Sequence, residues 1–78
     1  MNKPIAVDCS FEKDGRVLVR RVAFGDSWQV VEQGRQWGDE HGRHVLIMIP
    51  GGHVQEIILS PETLNWKLAF DRTQTNIA

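Results

Sequence analysis

The stretch Trp66-Lys67-Leu68-Ala69-Phe70 shows most clearly what kind of structure this chain forms. Trp66, Leu68 and Phe70 share one side of an extended chain, because successive side chains of a strand point to opposite faces. In a helix the same three residues would scatter around the axis. This segment is therefore a β-strand with one apolar face.

The rest of the chain repeats this pattern of short apolar segments between turns. The segments are rich in Val, Ile, Phe and Trp, which suit a pleated and half-buried surface. Short strands with regularly spaced turns are typical of a meander or a barrel. A single helical turn at residues 60–64 is the only alternative to strand structure, and a tight loop is the better interpretation. The turn signals, rich in Gly, Asp and Pro, lie at residues 13–15, 25–26, 38–42, 50–52 and 60–62.

Two segments change phase partway along. In the first, the apolar face switches near Arg20-Arg21, and in the second it switches between Val31 and Gly34. A β-bulge at each place would restore a single inward face, and small barrels use bulges to bend long strands. The sequence therefore predicts an all-β fold, a small antiparallel meander of five or six strands curled into an SH3-like barrel or a half-open sheet.

A chain of 78 residues has room for one hydrophobic core, so we predict a single β domain over residues 1–78. Its ordered part covers about 4–71, and 72–78 form a flexible tail. The predicted strands are 5–12, 16–24, 28–37, 44–49, 54–59 and 66–70. The predicted core contains Val17, Val19, Val22, Phe24, Trp28, Val30, Val45, Ile47, Ile49, Ile58, Leu59, Trp66, Leu68 and Phe70.

Residues 45–49 are apolar at every position. A strand with two apolar faces has to be covered on both sides. With one face in the core, Leu46 and Met48 need a second cover, which the N-terminal segment, a stray helix or another copy of the protein could supply. We predict self-association through Leu46 and Met48, because an uncovered face of this kind would be a liability.

Charge and cysteine content narrow the possible functions. Ten acidic and nine basic residues give a formal net charge of −1, so long-range attraction to nucleic acid or anionic membrane is weak. Cys9 is the only cysteine, which excludes an intramolecular disulfide and favours the cytoplasm. The N-terminal residues have no apolar stretch of the signal-peptide kind, and residues 45–49 are too short to cross a bilayer.

No pattern of reactive side chains indicates catalysis, a metal or a cofactor. His41 and His44 are three residues apart, but neither Cys9 nor His53 completes a spacing typical of metal ligands. The serines lie in turns, where hydroxyl groups hydrogen-bond the backbone. We therefore predict a non-catalytic interaction or accessory module, without cofactor or metal, that binds a protein partner or a second copy of itself.

An alternative function is binding of single-stranded nucleic acid. Small barrels hold single strands in a basic groove, where guanidinium groups pair with phosphates and aromatic rings stack on bases. Acidic residues in the same part of the chain reduce its net positive charge. The residues that would bind the strand are Arg20, Arg21, Arg35, Trp37 and Arg43.

Several short pieces resemble one known family. They are residues 28–30 (Trp-Gln-Val), Trp37, residues 51–59, and residues 66–68 (Trp-Lys-Leu). The chain, over roughly residues 4–71, resembles a family of short, uncharacterised bacterial all-β domains, some of which are encoded near genes for error-prone DNA polymerases. The resemblance implies an accessory role in the response to DNA damage, and it carries no functional residues over to this chain.

Overall fold

In a computed structural model, residues 3–71 are described, and they form one antiparallel sheet without a helix. The predicted all-β fold is therefore confirmed, while the predicted flexible tail lies outside the described residues. The strand order is β3-β2-β1-β7-β6-β5-β4, so every pair joins consecutive strands except β1 with β7. The strands in the described part are β1 (Lys3–Phe11), β2 (Val17–Phe24), β3 (Ser27–Val30), β4 (Glu32–Asp39), β5 (Gly42–Ile49), β6 (His53–Leu59) and β7 (Trp66–Asp71).

The sheet has seven strands rather than five or six, because Val31 interrupts the strand expected at 28–37. The Val31 side chain is buried, and its N–H donates a hydrogen bond to Arg20 O at 3.1 Å. β3 then pairs with β2 at one edge of the sheet, and β4 pairs with β5 at the other. The two edges are thus joined through Val31, and the sheet curls into a half-barrel.

β-Bulges accompany this curvature, as the phase changes predict. Between β1 and β2 the register slips after Asp8, which leaves Arg20 as the extra residue, at the predicted position. Between β4 and β5 the register slips between Gln33 and Gln36, next to the second predicted position. Each bulge adds local twist, which bends the strand around the core.

Glutamine side chains bridge the seam between β2 and β4. β3 covers β2 only from Arg21 onward, so the first half of β2 has free backbone groups on that side. Val17 N–H donates to Gln36 Oε1 (3.0 Å), and Val19 N–H donates to Gln33 Oε1 (2.7 Å). Both glutamine Nε2 groups donate to Val17 O, at 2.9 and 2.8 Å. The amides therefore replace the neighbouring strand that this edge lacks.

The core lies inside the curl. Four further predicted core residues, Phe24, Ile49, Leu59 and Leu68, are partly buried and pack against it. The side chain of Phe70 lies outside the described residues. The buried cluster consists of Val17, Val19, Val22, Val31, Val45, Ile47, Ile57 and Trp66.

Three core predictions are wrong. Trp28 is 48% exposed and Val30 is 68% exposed, because the face of the chain switches at Val31 and the residues before it point outward. Ile57 is fully buried, and Ile58 lies on the outer side with intermediate exposure. The register with β5 gives the reason, because Ile57 pairs with Val45 of the core and Ile58 pairs with His44 of the outer face.

The connections at residues 60–64 and 50–52 are both turns. Leu64 N–H donates to Ser60 O at 2.8 Å, and Leu64 has φ 60°, so residues 60–64 form a loop, not a helix. Gly52 N–H donates to Ile49 O at 3.0 Å and closes the hairpin turn between β5 and β6. Gly51 and Gly52 in this turn have positive φ, a conformation that glycine adopts without a steric penalty.

Replacing Gln33 by alanine tests the seam. Val19 N–H would lose its acceptor in a part-buried position, so we expect the free energy of unfolding to fall by about 1–3 kcal/mol. Urea denaturation of Gln33→Ala and of Gln33→Glu, which keeps an acceptor, measures the effect. If the bond to Val19 N–H contributes more than the bond to Val17 O, Gln33→Glu should lower the free energy of unfolding less than Gln33→Ala does. An unchanged free energy of unfolding in Gln33→Ala would contradict the role of the seam.

Candidate functional site

The two faces of β5 differ in chemistry. Val45 and Ile47 point into the core, so the alternating residues His44, Leu46 and Met48 share the outer face. Exposure increases along this outer face, from 7% at His44 through intermediate at Leu46 to 44% at Met48. The predicted second apolar face is therefore present, covered at one end and open to solvent at the other.

Met48 lies between two shallow depressions on the outer side of β4 and β5. One, of about 360 Å³, includes Val30, and the other, of about 310 Å³, includes Leu46. Gly34 lies beside Leu46: a Cβ at Gly34 would be 3.6 Å from the Leu46 Cβ, so the glycine leaves that side chain uncovered. We call the surface formed by Val30, Gly34, Leu46 and Met48 the outer groove.

Two opposite charges border the outer groove. Glu32 lines both depressions, and Arg35 lines the one that contains Leu46. Both residues belong to β4 and both are exposed. The apolar surface thus has an acidic and a basic group along the same strand.

A polar cluster around the buried His44 adjoins the outer groove. The Nδ1 atom of His44 lies 2.5 Å from Glu56 Oε2, and its Nε2 atom lies 2.8 Å from Asp39 Oδ1. The Trp37 ring stacks on the His44 ring at 5.1 Å between centroids, with the planes 6° apart. Because carboxylates only accept hydrogen bonds, both contacts are satisfied when the ring carries two protons. We call Trp37, Asp39, His44 and Glu56 the His44 cluster.

The electrostatics of the cluster favour the charged ring. Burial by itself opposes a charged His44, but the hydrogen bonds to Glu56 and Asp39 outweigh it and raise the pKa of His44 above its ordinary 6.5. The hydrogen bond from His44, followed by that from the His41 N–H, lowers the pKa of Asp39 below 3.8. The cluster is therefore an imidazolium held between two carboxylates in mildly acidic solution.

The residues predicted to bind nucleic acid do not form one surface. Arg20 and Arg21 lie together on β2, each 3.0 Å from the Asp8 carboxylate. Arg35 borders the outer groove on β4, whereas Arg43 Nη2 donates to Gly15 O at 3.3 Å. The Asp8 carboxylate therefore offsets one of the two positive charges of Arg20 and Arg21.

The exposed tryptophan is not the predicted one. Trp37 was expected to present a free ring, but it is half-buried against His44. Trp28, expected in the core, presents an exposed ring instead, and the Arg21 guanidinium lies 5.0 Å from its centroid. An arginine beside an exposed tryptophan is a cation–π pair on the outer side of β2 and β3.

The described part of the chain also contains Cys9 and other side chains that are able to bind metals. Cys9 packs against the core, and burial raises the pKa of its thiol. Within residues 3–71, no group of three or more His, Cys, Asp and Glu side chains is placed to hold a metal ion. The same residues contain no helix that is long and apolar enough to cross a membrane.

The His44 cluster was missed by the sequence analysis, which took His44 as an ordinary strand residue. Its ring meets one carboxylate five positions back and another twelve positions ahead. A usable signal was the presence of two polar residues, His44 and Glu56, each directly before an apolar run in adjacent strands.

Comparison with known proteins gives no relative: no family model, curated protein or solved structure matches the chain. The resemblance to short bacterial all-β domains therefore stays a prediction, and the functional inference depends on the geometry of the surface.

The stability of the domain should depend on pH through His44. Its folded-state pKa is raised, so its contribution is fully present below pH 6.5 and is lost as pH rises through the folded-state value. Asp39 has a lowered pKa, so its contribution is present above pH 3.8 and is lost on further acidification. We expect the free energy of unfolding, measured in urea, to decrease from about pH 6 to about pH 8.5. A His44→Gln variant should show no such decrease, and an equal slope in both proteins would contradict the assignment.

Proposed function

We propose that this chain is a non-catalytic interaction module that forms a homodimer through the outer groove. One observation carries the proposal: the acidic Glu32 and the basic Arg35 lie along β4, beside the exposed apolar side chains of the outer groove. A surface with both charges on one strand is self-complementary, as a two-fold interface requires.

The arrangement of the two copies follows from that requirement. When two sheets pack face to face about a two-fold axis perpendicular to β4, the strand direction reverses between copies. Glu32 of one copy then lies opposite Arg35 of the other, and the reciprocal pair forms beyond the axis. The Leu46 and Met48 side chains of both copies meet in the neighbouring row, beside these pairs, where water is excluded.

Two exposed apolar side chains of the outer groove support this docking. Val30 and Met48 are exposed at 68% and 44%, so covering them removes apolar area from water. Methionine adapts its shape to a facing surface because its unbranched chain has several rotatable bonds. A second copy therefore supplies the cover that the outer face of β5 requires.

A non-catalytic role is supported by the state of the most polar site. Both ring nitrogens of His44 face carboxylate oxygens, so the ring has no nitrogen directed toward a substrate. The raised pKa of the Cys9 thiol disfavours the reactive thiolate. We also propose the cytoplasm as the location, because the single cysteine of the chain is a free thiol.

Replacing Met48 by aspartate tests the dimer. Two desolvated carboxylates would face each other at the centre, so we expect the dimer dissociation constant to increase more than about tenfold, measured by sedimentation equilibrium. Leu18→Asp is the matched control, because Leu18 is similarly exposed at 46% and lies on β2. An equal effect of both variants, or a monomer at every concentration, would overturn the proposal.

Exchange of the flanking charges tests the geometry. Glu32→Arg and Arg35→Glu should each weaken the dimer, since each brings two like charges together. The double variant should restore it, because the reversed pairs are again complementary. If the double variant is as weak as the single ones, the two-fold arrangement is wrong.

A second candidate function, binding of single-stranded nucleic acid, is favoured by the exposed Trp28 ring beside Arg21. A base can stack on the ring while Arg20 and Arg21 pair with phosphate, although Asp8 offsets one of these charges. We expect weak binding of a labelled oligonucleotide, measured by fluorescence anisotropy, that declines steeply with salt. Arg21→Glu should abolish it, and Arg35→Glu should not. Equal losses, or no binding at low salt, would exclude this site.

A further inference from the structure

The His44 cluster lies directly beside the proposed dimer surface. His44 and Leu46 are two positions apart on the outer face of β5, and Leu46 pairs with Glu56 in the register of β5 with β6. The carboxylate that contacts the His44 Nδ1 atom thus belongs to Glu56, the residue opposite Leu46. A second copy that covers Leu46 also reduces the access of water to this cluster.

The charge of the outer face depends on one proton. Lys67 belongs to the same row as His44, because Ile58 pairs with both. With His44 protonated, the face has three positive and three negative groups, and without that proton each copy has one excess negative charge. The groups are Glu32, Arg35 and Asp39 on β4, His44 on β5, Glu56 on β6 and Lys67 on β7.

Other ionisable groups surround this face. His41 precedes β5 and its ring is 3.9 Å from Asp39, but its side chain is 69% exposed. His53 is exposed at the start of β6, at the far end of the sheet from the His44 row. The Arg43 guanidinium is directed to Gly15 O instead. Among these histidines, His44 is the buried one, and both of its ring nitrogens contact carboxylates of this face.

We infer that the homodimer takes up a proton at His44, so that two copies associate in mildly acidic solution and separate as His44 becomes neutral. This inference rests on the proposed dimer and specifies how it is regulated. Two faces that each carry one excess negative charge repel each other, and two neutral faces do not. Glu56 is already buried in each copy, and a protonated His44 balances its charge next to the interface.

Linkage makes the effect reciprocal. If protonation of His44 strengthens association, association must hold the proton on His44 more tightly by the same factor. Trp37, stacked on the ring, reports the protonation state, because an imidazolium quenches indole fluorescence more strongly than a neutral imidazole does. The midpoint of a Trp37 fluorescence titration should therefore move to higher pH as protein concentration rises.

The experiment is sedimentation equilibrium across about pH 5.5–8.5, in parallel with the fluorescence titration. A dimer that takes up two protons has a dissociation constant that rises by at most about 100-fold per pH unit, and we expect a total rise of at least about fivefold. His44→Gln should abolish the dependence. His53→Gln and His41→Gln, as exposed-histidine controls, should retain it. Trp37→Phe should remove the pH-dependent change in fluorescence, leave the emission of Trp28 and Trp66, and retain the pH dependence of association.

Each outcome decides the matter. A dimer whose dissociation constant does not change with pH overturns this inference and leaves the proposed function intact. A dependence that persists in His44→Gln assigns the proton to another group and also overturns it. A monomer at all pH values and concentrations overturns both proposals. A dependence lost in His44→Gln and kept in the histidine controls supports the inference.

Discussion

The hydrogen bonds between glutamine side chains of β4 and the backbone of β2 hold the curved sheet together. Without them the first half of β2 would have unpaired N–H and C=O groups next to the core. The glutamine side chains span the gap between β2 and β4, so the curled sheet satisfies these groups without a further strand. The direction of β4, and therefore of its outer face, depends on this seam.

The outer face of β5 changes from polar and buried to apolar and exposed within three side chains. At one end the sheet covers its own histidine with a tryptophan and two carboxylates. At the other end the chain has no such cover among the described residues, and Met48 remains in solvent. The contrast shows that the exposure of Met48 is not a consequence of the small size of the domain alone. The same strand, with the same neighbours, is able to bury a side chain on this side.

The class of fold was predictable because it depends on local patterns. Alternation in β7 and regular turn signals indicate strands, and the parity change beside Arg20 located a bulge correctly. The pattern near Val30 and Val31 was ambiguous, since adjacent valines fit either face equally well. The structure resolves it by turning a corner, which places Val31 inside and Trp28 outside.

The polar cluster was beyond the reach of the sequence for a different reason. Asp39, His44 and Glu56 come from separate positions on three strands, and their contact requires the register of β5 with both neighbours. A one-residue slip would place Glu56 on the opposite face. Alternation predicts which side a residue takes relative to its own strand, but it does not specify what lies across from it.

The pairing of β1 with β7 has a consequence for how the chain reaches this structure. Lys3–Leu68, Pro4–Lys67 and Ile5–Trp66 are the paired positions of a short ladder between segments that are far apart in sequence, whereas the other ladders join consecutive strands. Closing a long loop is entropically costly, so this ladder should form late in folding. With the ladder between β1 and β7 in place, the first and last strands are neighbours in the sheet. A chain opened at the exposed turn of residues 50–52, with β7 linked to β1, would therefore keep the remaining ladders and fold in a different order.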